Sequence, residues 1–379
     1  MPETESLLSF DEIRPYLDQE VPQVLKRLSR KPSFFVLMNY LFPEQTGEEI
    51  VARFSTITSV EQFQSEYIRH AIWRVVQEST SGVTIEGLEA LNENTCYVFL
   101  SNHRDIILDS AILNVLLKEQ GRPTTKIAIG DNLLVSGLVT DLMKLNKSFI
   151  VHREVARKDM LAYSKRLSNY IRTQITNRED SVWIAQRNGR TKDGNDQTHT
   201  GLLKMLSLSG PEDVKARFRE LNIVPMSISY EYDPCDGLKA EELTHLYQGA
   251  SYQKDDKVGM VKGIRGQKGR VHICLGSPVN DWLDDMPECR NLNAWLREFA
   301  DSLDRILHQS YRLWPSNYIA FDLLEPGTRF VEKYNDQNVA DFLHHMDVSL
   351  ADMKGAPESL KCQFLEIYAN PVRNKVAGR

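Results

Sequence analysis

The stretch CYVFLSNHRDIILD, residues 96–109, decides how the chain folds. Its first five residues are apolar and rich in aromatic and β-branched side chains, which predicts a short buried strand over 97–100. Ser101 and Asn102 come directly after this strand, and both are residue types that cap helices. We therefore predict a strand-to-helix unit whose helix covers 107–118 and turns an apolar face toward the core.

A histidine and two acids lie where this strand meets this helix. His103 is followed by Asp105 and Asp109, and a carboxylate beside an imidazole fixes the tautomer of the ring and stabilises its protonated form. The arrangement suits a general base. A single histidine at a helix start also serves as a cap or a surface residue, so this stretch by itself leaves both interpretations open.

Strands and helices alternate between residues 83 and 279. Apolar segments of strand length cover 83–85, 97–100, 126–129, 149–152, 182–185, 223–229 and 271–275. Helical periodicity separates several of them, over 107–118, 133–146, 156–176 and 201–208. This alternation predicts an α/β fold with a largely parallel central sheet flanked by helices.

The two ends of the chain have helical patterns. Prolines and a glycine divide residues 1–80 into several amphipathic helices, which predicts a helical N-terminal unit. The predicted α/β domain covers 81–285. A helical C-terminal extension covers 286–379, with helices over 292–308, 338–346 and 360–368.

Composition restricts the class of protein. The 379 residues carry a formal net charge of -6, which argues against a nucleic-acid-binding protein. The five cysteines form no CxxC pair and indicate free thiols in a reducing compartment. The acidic start, residues 1–5, is unlike a secretory signal, and no segment has the roughly 20 apolar residues that span a bilayer. We expect a protein that is soluble or lies on a membrane surface.

Basic residues lie beside an apolar run in the N-terminal unit. Lys26, Arg27, Arg30 and Lys31 precede the run FFVLM, residues 34–38. Cationic charge next to exposed apolar side chains suits an anionic membrane surface. A solvated helix end followed by a core helix gives the same pattern, and the sequence leaves the two open.

Two further strand ends carry basic side chains. Arg153 follows the strand over 149–152, and ligands of open α/β sheets bind beyond the carboxyl ends of strands. The strand over 182–185 leads into a loop with two glycines and three cations, Arg187, Arg190 and Lys192. Clustered cations favour an anion such as a phosphate. A structural ion pair for Arg153 and a solvated turn for the loop are the competing interpretations.

Together with the strand that contains Val224-Pro225, these segments resemble in order and spacing the four sequence blocks of the glycerolipid acyltransferase superfamily. That superfamily includes glycerol-3-phosphate and 1-acylglycerol-3-phosphate acyltransferases. Its blocks are an Asn-His pair followed by an aspartate, a Phe-Ile-x-Arg strand end, a Glu-Gly pair followed by Arg and Ser, and a Val-Pro strand. The resemblance covers about residues 83–280 and implies that the α/β domain is the acyltransferase catalytic domain.

Three blocks depart from the family pattern. The family's aspartate follows the histidine by five residues, whereas Asp109 follows His103 by six. Because one residue is about 100° around a helix, a bulge in the first turn has to restore this pairing, and Asp105 is the alternative partner. The Phe-Ile strand end here has one residue more before its arginine. The third block has Asn188 in place of glutamate and is similar in spacing to a bacterial variant of the block.

The resemblance implies an enzyme that transfers a fatty acyl group from an acyl-carrier-protein or coenzyme A thioester to a hydroxyl of a glycerol-phosphate-like or lysolipid acceptor. His103 is then the general base and Asp109 its partner, with Asn102 and Asp105 as residues that can orient the ring. The residues expected to bind phosphate are Arg153, Arg187, Asn188, Gly189, Arg190 and Lys192.

The same resemblance implies the partners and the location. The acyl donor and a lipid precursor are the expected partners, and no metal or other cofactor is required. The apolar stretch over 133–139 is a candidate lining for an acyl chain. We expect a cytoplasmic protein that is peripheral on the cytoplasmic face of the membrane, with the N-terminal unit as the first candidate for contact.

Two other functions stay open. His103, Asp105 and Asp109 are also suitable ligands for a metal-dependent phosphoester hydrolase, although we expect no second His/Asp cluster near them. The displaced aspartate and the missing glutamate fit a non-catalytic, lipid- or partner-binding descendant as well. The sequence does not specify the acceptor, the acyl donor, the chain length or the oligomeric state.

Overall fold

A seven-stranded sheet forms the centre of the computed structural model, which describes residues 10–378. Its strands are β1 Gly82–Glu86, β2 Val98–Ser101, β3 Lys126–Gly130, β4 Ser148–Val151, β5 Val182–Ala185, β6 Ile223–Tyr230 and β7 Arg270–Leu275. The strand order is β1-β7-β6-β2-β5-β3-β4, and only the β6–β7 pair is antiparallel. The predicted α/β fold with a largely parallel sheet is confirmed, and every predicted strand lies within one residue of an observed one at each end.

Helices cover the sheet and form both ends of the described chain. They are α1 Val21–Leu28, α2 Pro32–Leu41, α3 Gly47–Phe54, α4 Val60–Phe63, α5 Arg69–Ser79, α6 Leu108–Glu119, α7 Gly137–Leu145, α8 Met160–Thr176, α9 Thr200–Leu206, α10 Val214–Arg219, α11 Asp236–Tyr247, α12 Asp256–Arg265, α13 Leu292–Gln309, α14 Pro315–Leu324, α15 Asp336–Leu350 and α16 Pro357–Ala377. The helices predicted from periodicity correspond to α6–α9, α13, α15 and α16. A C-terminal helix predicted over 314–324 corresponds to α14, whereas the sequence did not predict α10, α11 or α12.

The sheet is buried on both faces, as parallel sheets usually are. Val98 and Leu100 of β2 pack on one side against α8, α9 and α13. Phe99 packs on the other side against α5 and α6. Because successive residues of a strand point to opposite faces, an uninterrupted apolar run such as 97–100 is what a strand in this position requires.

Two further apolar clusters lie outside these layers. Helices α1–α4 enclose a core of their own that includes Phe34 and Phe63 and is completed by Leu145 from α7. Helices α14–α16 pack around Phe364 and Tyr368 together with Ala240 from α11. The domain boundaries that we placed at residues 80 and 285 stay predictions. The acidic start at residues 1–5 lies outside the described residues.

None of the helices described between residues 10 and 378 is long and apolar enough to cross a membrane. The five cysteines are all free thiols.

A buried lysine connects the end of α12 to the end of α5. Lys268 is fully buried, and its ammonium donates hydrogen bonds to Ser79 Oγ at 2.9 Å and to the carbonyl oxygen of Gly266 at 2.5 Å. Burial lowers the pKa of Lys268 from 10.5 to about 8. The protonated form is therefore less favourable in the folded chain than in the unfolded chain.

Replacing Lys268 with methionine removes this titration. Between about pH 8 and about pH 10.5 the unfolded wild type binds more protons than the folded wild type. Its free energy of unfolding is therefore expected to rise with pH over this range, by at most about 3 kcal/mol relative to that of Lys268→Met. Denaturant titrations of both proteins near pH 7 and near pH 10 measure this difference. A difference that stays constant over that range contradicts the assignment.

Candidate active site

Two parallel strands, β2 and β5, end side by side next to His103, and the neighbouring β6 continues beyond them. β2 lies between β5 and β6, and Ser101 at its end is in register with Ala185 and Met226. His103 therefore follows the end of β2 by two residues, and Arg187 follows the end of the adjacent β5 by two. This edge of the sheet is where α/β proteins bind their ligands.

His103 and Asp109 form a hydrogen-bonded pair at this edge. The distance from His103 Nδ1 to Asp109 Oδ2 is 2.9 Å, and the imidazole, whose side chain is 13% exposed, meets the indole of Trp183 edge-on. Within the described part of the chain, Nε2 has no hydrogen-bond partner. The ring is thus held at one nitrogen while the other is available to accept a proton.

Several donors fix the buried carboxylate of Asp109. Its Oδ2 accepts hydrogen bonds from the backbone N–H of Arg104 at 2.7 Å and of Asp105 at 3.0 Å, besides the contact with His103. Its Oδ1 accepts a hydrogen bond from the hydroxyl of Tyr230 at 2.8 Å. Burial, and then the Asp109 carboxylate, raise the pKa of Tyr230 well above its usual value, so the hydroxyl stays a donor.

The extra residue between His103 and Asp109 lies in a loop and not in the helix. Residues 102–107 precede α6 and wrap around the Asp109 carboxylate, so the expected bulge in the first helical turn is not needed. Asp105 Oδ1 accepts hydrogen bonds from the N–H groups of Ile107 and Leu108, each at 2.8 Å. Asp105 therefore caps α6, while Asp109 contacts the ring.

The prediction that Ser101 and Asn102 cap this helix is wrong. Asn102 instead joins β2 to β6: its Oδ1 accepts from Ile228 N at 2.8 Å, and its Nδ2 donates to the Ile228 carbonyl and to Asp196, each at 3.1 Å. The Ser101 hydroxyl donates to the carbonyl of Asn102. Asn102 thus fixes the backbone from which His103 projects and does not contact the ring.

A buried ionic network supports the loop from below, and the sequence did not predict it. The Arg104 guanidinium lies 2.6 Å from Asp196 and 3.4 Å from Asp233. Lys239 pairs with Asp233 and donates to the Arg104 carbonyl at 3.0 Å. Burial alone would lower the pKa of Arg104, but Asp196 and Asp233 raise it above its usual value. These residues are separated in sequence by up to 135 positions and carry no motif.

The two glycines of the loop after β5 have different functions. Gly189 has a φ of +77° and open space where a side chain would lie. Gly194 has a φ of +76°, and a Cβ there would overlap the carbonyl of Ile367 in α16. The Asn370 amide of the same helix donates to the Asp193 carbonyl at 2.7 Å. The C-terminal helix therefore holds this loop, whose Thr191 N–H donates to the His103 carbonyl at 2.8 Å.

The predicted phosphate-binding residues of this loop are not equivalent. Lys192 is paired with Glu242 of α11, and Asn188 is exposed. The Arg187 guanidinium has no hydrogen-bond or ion-pair partner among residues 10–378. Arg190 has a buried Nη1 without a partner in the same part of the chain. Arg187 and Arg190 are therefore the cations of this loop that are available to an anion.

Arg153 lies farther from the histidine. β4 is the edge strand, and β5 and β3 separate it from β2, which places the two strand ends about 14 Å apart at the usual strand spacing. The Arg153 side chain lies over Gly130, where a Cβ would overlap its guanidinium. Beside it, His152 Nδ1 is 3.0 Å from Asp131 Oδ2. This pair lies at the far strand end and not beside His103.

A cleft of about 780 Å³ between α11, α12 and α15 is separate from this constellation. Its lining includes Cys235, Gly263 and His345 but neither His103 nor any of the predicted phosphate-binding residues. Its size alone does not make it the reaction centre, because the paired histidine and the available cations lie at the ends of the strands.

Comparison with known proteins identifies the class. Residues 82–229 match the protein-family model described as Acyltransferase. This segment extends from β1 into β6 and contains the His103–Asp109 pair together with the loop after β5. This segment is therefore similar to acyltransferase domains, which supports the resemblance to the glycerolipid acyltransferase superfamily.

Individual proteins are also similar to part of this chain. The chain is 25% identical over 222 residues to the dihydroxyacetone phosphate acyltransferase of Bos taurus, covering 56% of this chain and 31% of that protein. It is 25% identical over 206 residues to the Homo sapiens protein of that name, covering 52% and 29%. The matched part thus spans about a third of these relatives. The solved structure of the 1-acyl-sn-glycerophosphate (LPA) acyltransferase PlsC from Thermotoga maritima aligns over 76% of this chain and 97% of that chain, with 11% identity and a TM-score of 0.37.

Tyr230→Phe removes one of the donors to Asp109 and leaves the fold of β6 intact. We expect kcat of acyl transfer to fall about tenfold with little change in KM, because a hydrogen bond to a charged group is lost but no substrate contact is. Tyr232→Phe is the matched control, since Tyr232 stacks on His345 and does not contact Asp109. Equal kcat values for wild type and Tyr230→Phe contradict a role for this hydroxyl.

Proposed function

We propose that this protein is an O-acyltransferase that moves a fatty acyl group from a coenzyme A or acyl-carrier-protein thioester to a hydroxyl of a glycerol-phosphate-like or lysolipid acceptor. The observation that carries the proposal is the His103–Asp109 pair, in which Nε2 has no hydrogen-bond partner among residues 10–378. An alcohol is a poor nucleophile near pH 7, so a positioned base has to remove its proton during attack. His103 has this role, and Asp109 stabilises the resulting imidazolium.

The reaction needs no covalent enzyme intermediate. The acceptor oxygen attacks the thioester carbonyl carbon while its proton passes to Nε2 of His103. The tetrahedral intermediate collapses by breaking the carbon–sulfur bond, and the thiolate that leaves takes the proton back from the imidazolium. Backbone N–H groups in the loops after the strands are suitable donors to the oxyanion, because they are fixed in direction before the charge develops.

The acceptor is proposed to carry a phosphate. Arg187 and Arg190 lie on the loop that is hydrogen-bonded to the backbone of His103, and neither guanidinium has an ion-pair partner in the described part of the chain. A guanidinium suits bidentate binding of phosphate. Dihydroxyacetone phosphate, the acceptor in the names of the mammalian relatives, combines a hydroxyl with a phosphate and belongs with glycerol-3-phosphate and lysophosphatidic acid in the first panel of acceptors.

A membrane location follows from the same proposal. The product of such a reaction is a lipid, and we propose that the protein acts while bound peripherally to the cytoplasmic face of a membrane. Arg27 and Lys31 of the N-terminal unit already pair with Asp141 of α7, whereas Lys26 and Arg30 are exposed. Only part of the predicted basic cluster is therefore available to lipid.

The metal-dependent hydrolase is less well supported by the positions of the ligands. Asp105 is used to cap α6, and both oxygens of Asp109 accept hydrogen bonds. Between residues 10 and 378, no three His, Cys, Asp or Glu side chains are arranged as a group that could hold a metal ion.

His103→Ala tests the assigned base. Release of free thiol from an acyl thioester in the presence of each acceptor is expected to fall by about a hundredfold or more, the usual contribution of a general base. His70→Ala, an exposed histidine of α5, is the control and is expected to keep the wild-type rate. Equal rates for wild type and His103→Ala refute the assignment, and a wild type that releases no thiol with any acceptor favours a non-catalytic descendant.

Arg187→Ala and Lys192→Ala separate the available cation from the paired one. We expect Arg187→Ala to raise KM for a phosphate-bearing acceptor about tenfold or more, and Lys192→Ala to raise it less, because Glu242 already neutralises Lys192. With glycerol as the acceptor both variants are expected to match the wild type. Equal effects of the two substitutions, or an effect of Arg187→Ala that persists with glycerol, contradict phosphate binding at Arg187.

A further inference from the structure

Helix α12 lies directly on the loop that carries the histidine. A Cβ at Gly263 would overlap the carboxylate of Asp105, and one at Gly259 would lie 3.2 Å from Arg190 Nη2. These glycines are four residues apart and so share one face of the helix. The close approach therefore depends on the absence of side chains on this face.

The opposite side of α12 is apolar and basic. Val258 is 42% exposed and Val261 is 51% exposed. Lys257, Lys262 and Arg265 are exposed as well, and none of the three has an ion-pair partner within residues 10–378. Val258, Val261 and Arg265 follow the spacing of a single helix face.

Helix α2 continues this surface. Val36 is 72% exposed and Tyr40 is 39% exposed, and their four-residue spacing places them on one face of α2. The Arg265 guanidinium lies 5.4 Å from the centroid of the Tyr40 ring. A cation–aromatic contact therefore joins the end of α12 to the end of α2.

Besides α12 and α2, the segment before α7 also borders this surface. The Asn132 amide donates to Asp256 at the start of α12 at 2.8 Å, and Lys31 at the start of α2 lies 3.7 Å from Asp141 of α7. Val135, between these two contacts, is 37% exposed. We name this surface the docking rim; it comprises Val36, Tyr40, Val135, Lys257, Val258, Val261, Lys262 and Arg265.

We infer that the docking rim binds the surface of a bilayer that contains anionic phospholipid. Exposed aliphatic side chains interleaved with unpaired cations match the apolar boundary and the negative charge of such a surface. Acids also lie beside the rim. Asp256 pairs with Lys254, whereas Asp255, which caps α12, keeps its charge. Asp341 and Asp352 line the cleft next to Val261 and Lys262, on the α15 side and outside the rim. Val135 of the rim belongs to the segment 133–139, which we predicted to line the acyl chain. A lipid that leaves the bilayer at the rim therefore reaches this segment first.

This inference rests on the proposed function only in assuming that a substrate or product is a lipid, and it assigns the membrane contact to α12 as well as to the N-terminal unit. An acidic carrier protein is the other occupant with suitable charge. The bilayer is favoured because the exposed apolar residues come from three separate elements and do not form one groove for a helix.

Co-sedimentation of the full chain with vesicles tests the inference. Wild type is expected to bind vesicles of phosphatidylcholine mixed with phosphatidylglycerol and to bind pure phosphatidylcholine vesicles more weakly. The double variant V258D/V261D is expected to bind the mixed vesicles about tenfold or more weakly, because two exposed apolar contacts are lost. The variant K262E/R265E is expected to lose about fivefold or more per charge on the mixed vesicles only.

Leu323→Asp is the matched control, since Leu323 is an apolar residue of helix α14 that is 49% exposed and lies outside both the rim and the cleft beside it. All variants are expected to release thiol from a short-chain acyl thioester at the wild-type rate without vesicles, which shows that they fold. The inference is overturned if V258D/V261D binds as tightly as wild type, if Leu323→Asp weakens binding equally, or if wild type binds an acidic carrier protein but no vesicles. Vesicle binding by a wild type that releases no thiol supports the docking rim while the proposed function fails.

Discussion

The site depends on one buried carboxylate. Asp109 receives hydrogen bonds from two backbone N–H groups of the loop before it, from the Tyr230 hydroxyl and from the His103 ring. Burial of a carboxylate costs free energy unless hydrogen-bond donors surround it. The loop therefore has to place its N–H groups around Asp109. The position of the imidazole is thereby fixed by the same contacts that make burial of Asp109 possible.

The buried ionic network extends this constraint into the C-terminal helices. Arg104 follows His103 directly and is held by Asp196 and Asp233, and Tyr311 donates to Asp196 at 2.6 Å. Tyr368 of α16 accepts from the Asp233 N–H at 2.9 Å. Removing one member leaves the others buried and unpaired, which usually costs far more than the pair contributes to stability. The C-terminal extension is therefore part of the support of the site and not an independent appendage.

The sequence predicted the sheet well because buried strands need apolar residues on both faces, and a run such as 182–185 leaves few alternatives. It did not predict α11 and α12, since their buried faces are not apolar. α11 buries Asp236, Lys239 and Thr244, and α12 buries Gly259 and Gly263 while its valines face outward. Glycine is also a poor helix former, so periodicity and propensity both point away from α12. The pairing of His103 with Asp109 was predicted from the sequence. The loop that allows a six-residue spacing was not, and neither was the hydrogen bond from Tyr230 of β6, because both depend on tertiary contacts that leave no local sequence pattern.

The central claim is that His103 and Asp109 act as one catalytic unit. A double-mutant cycle on kcat, comparing His103→Ala, Asp109→Asn and the double variant, measures this most directly. Residues that act as a unit are strongly non-additive, so the double variant is expected to be no slower than His103→Ala alone. If the two effects multiply in the double variant, the imidazole and the carboxylate act independently and the account of the site is wrong.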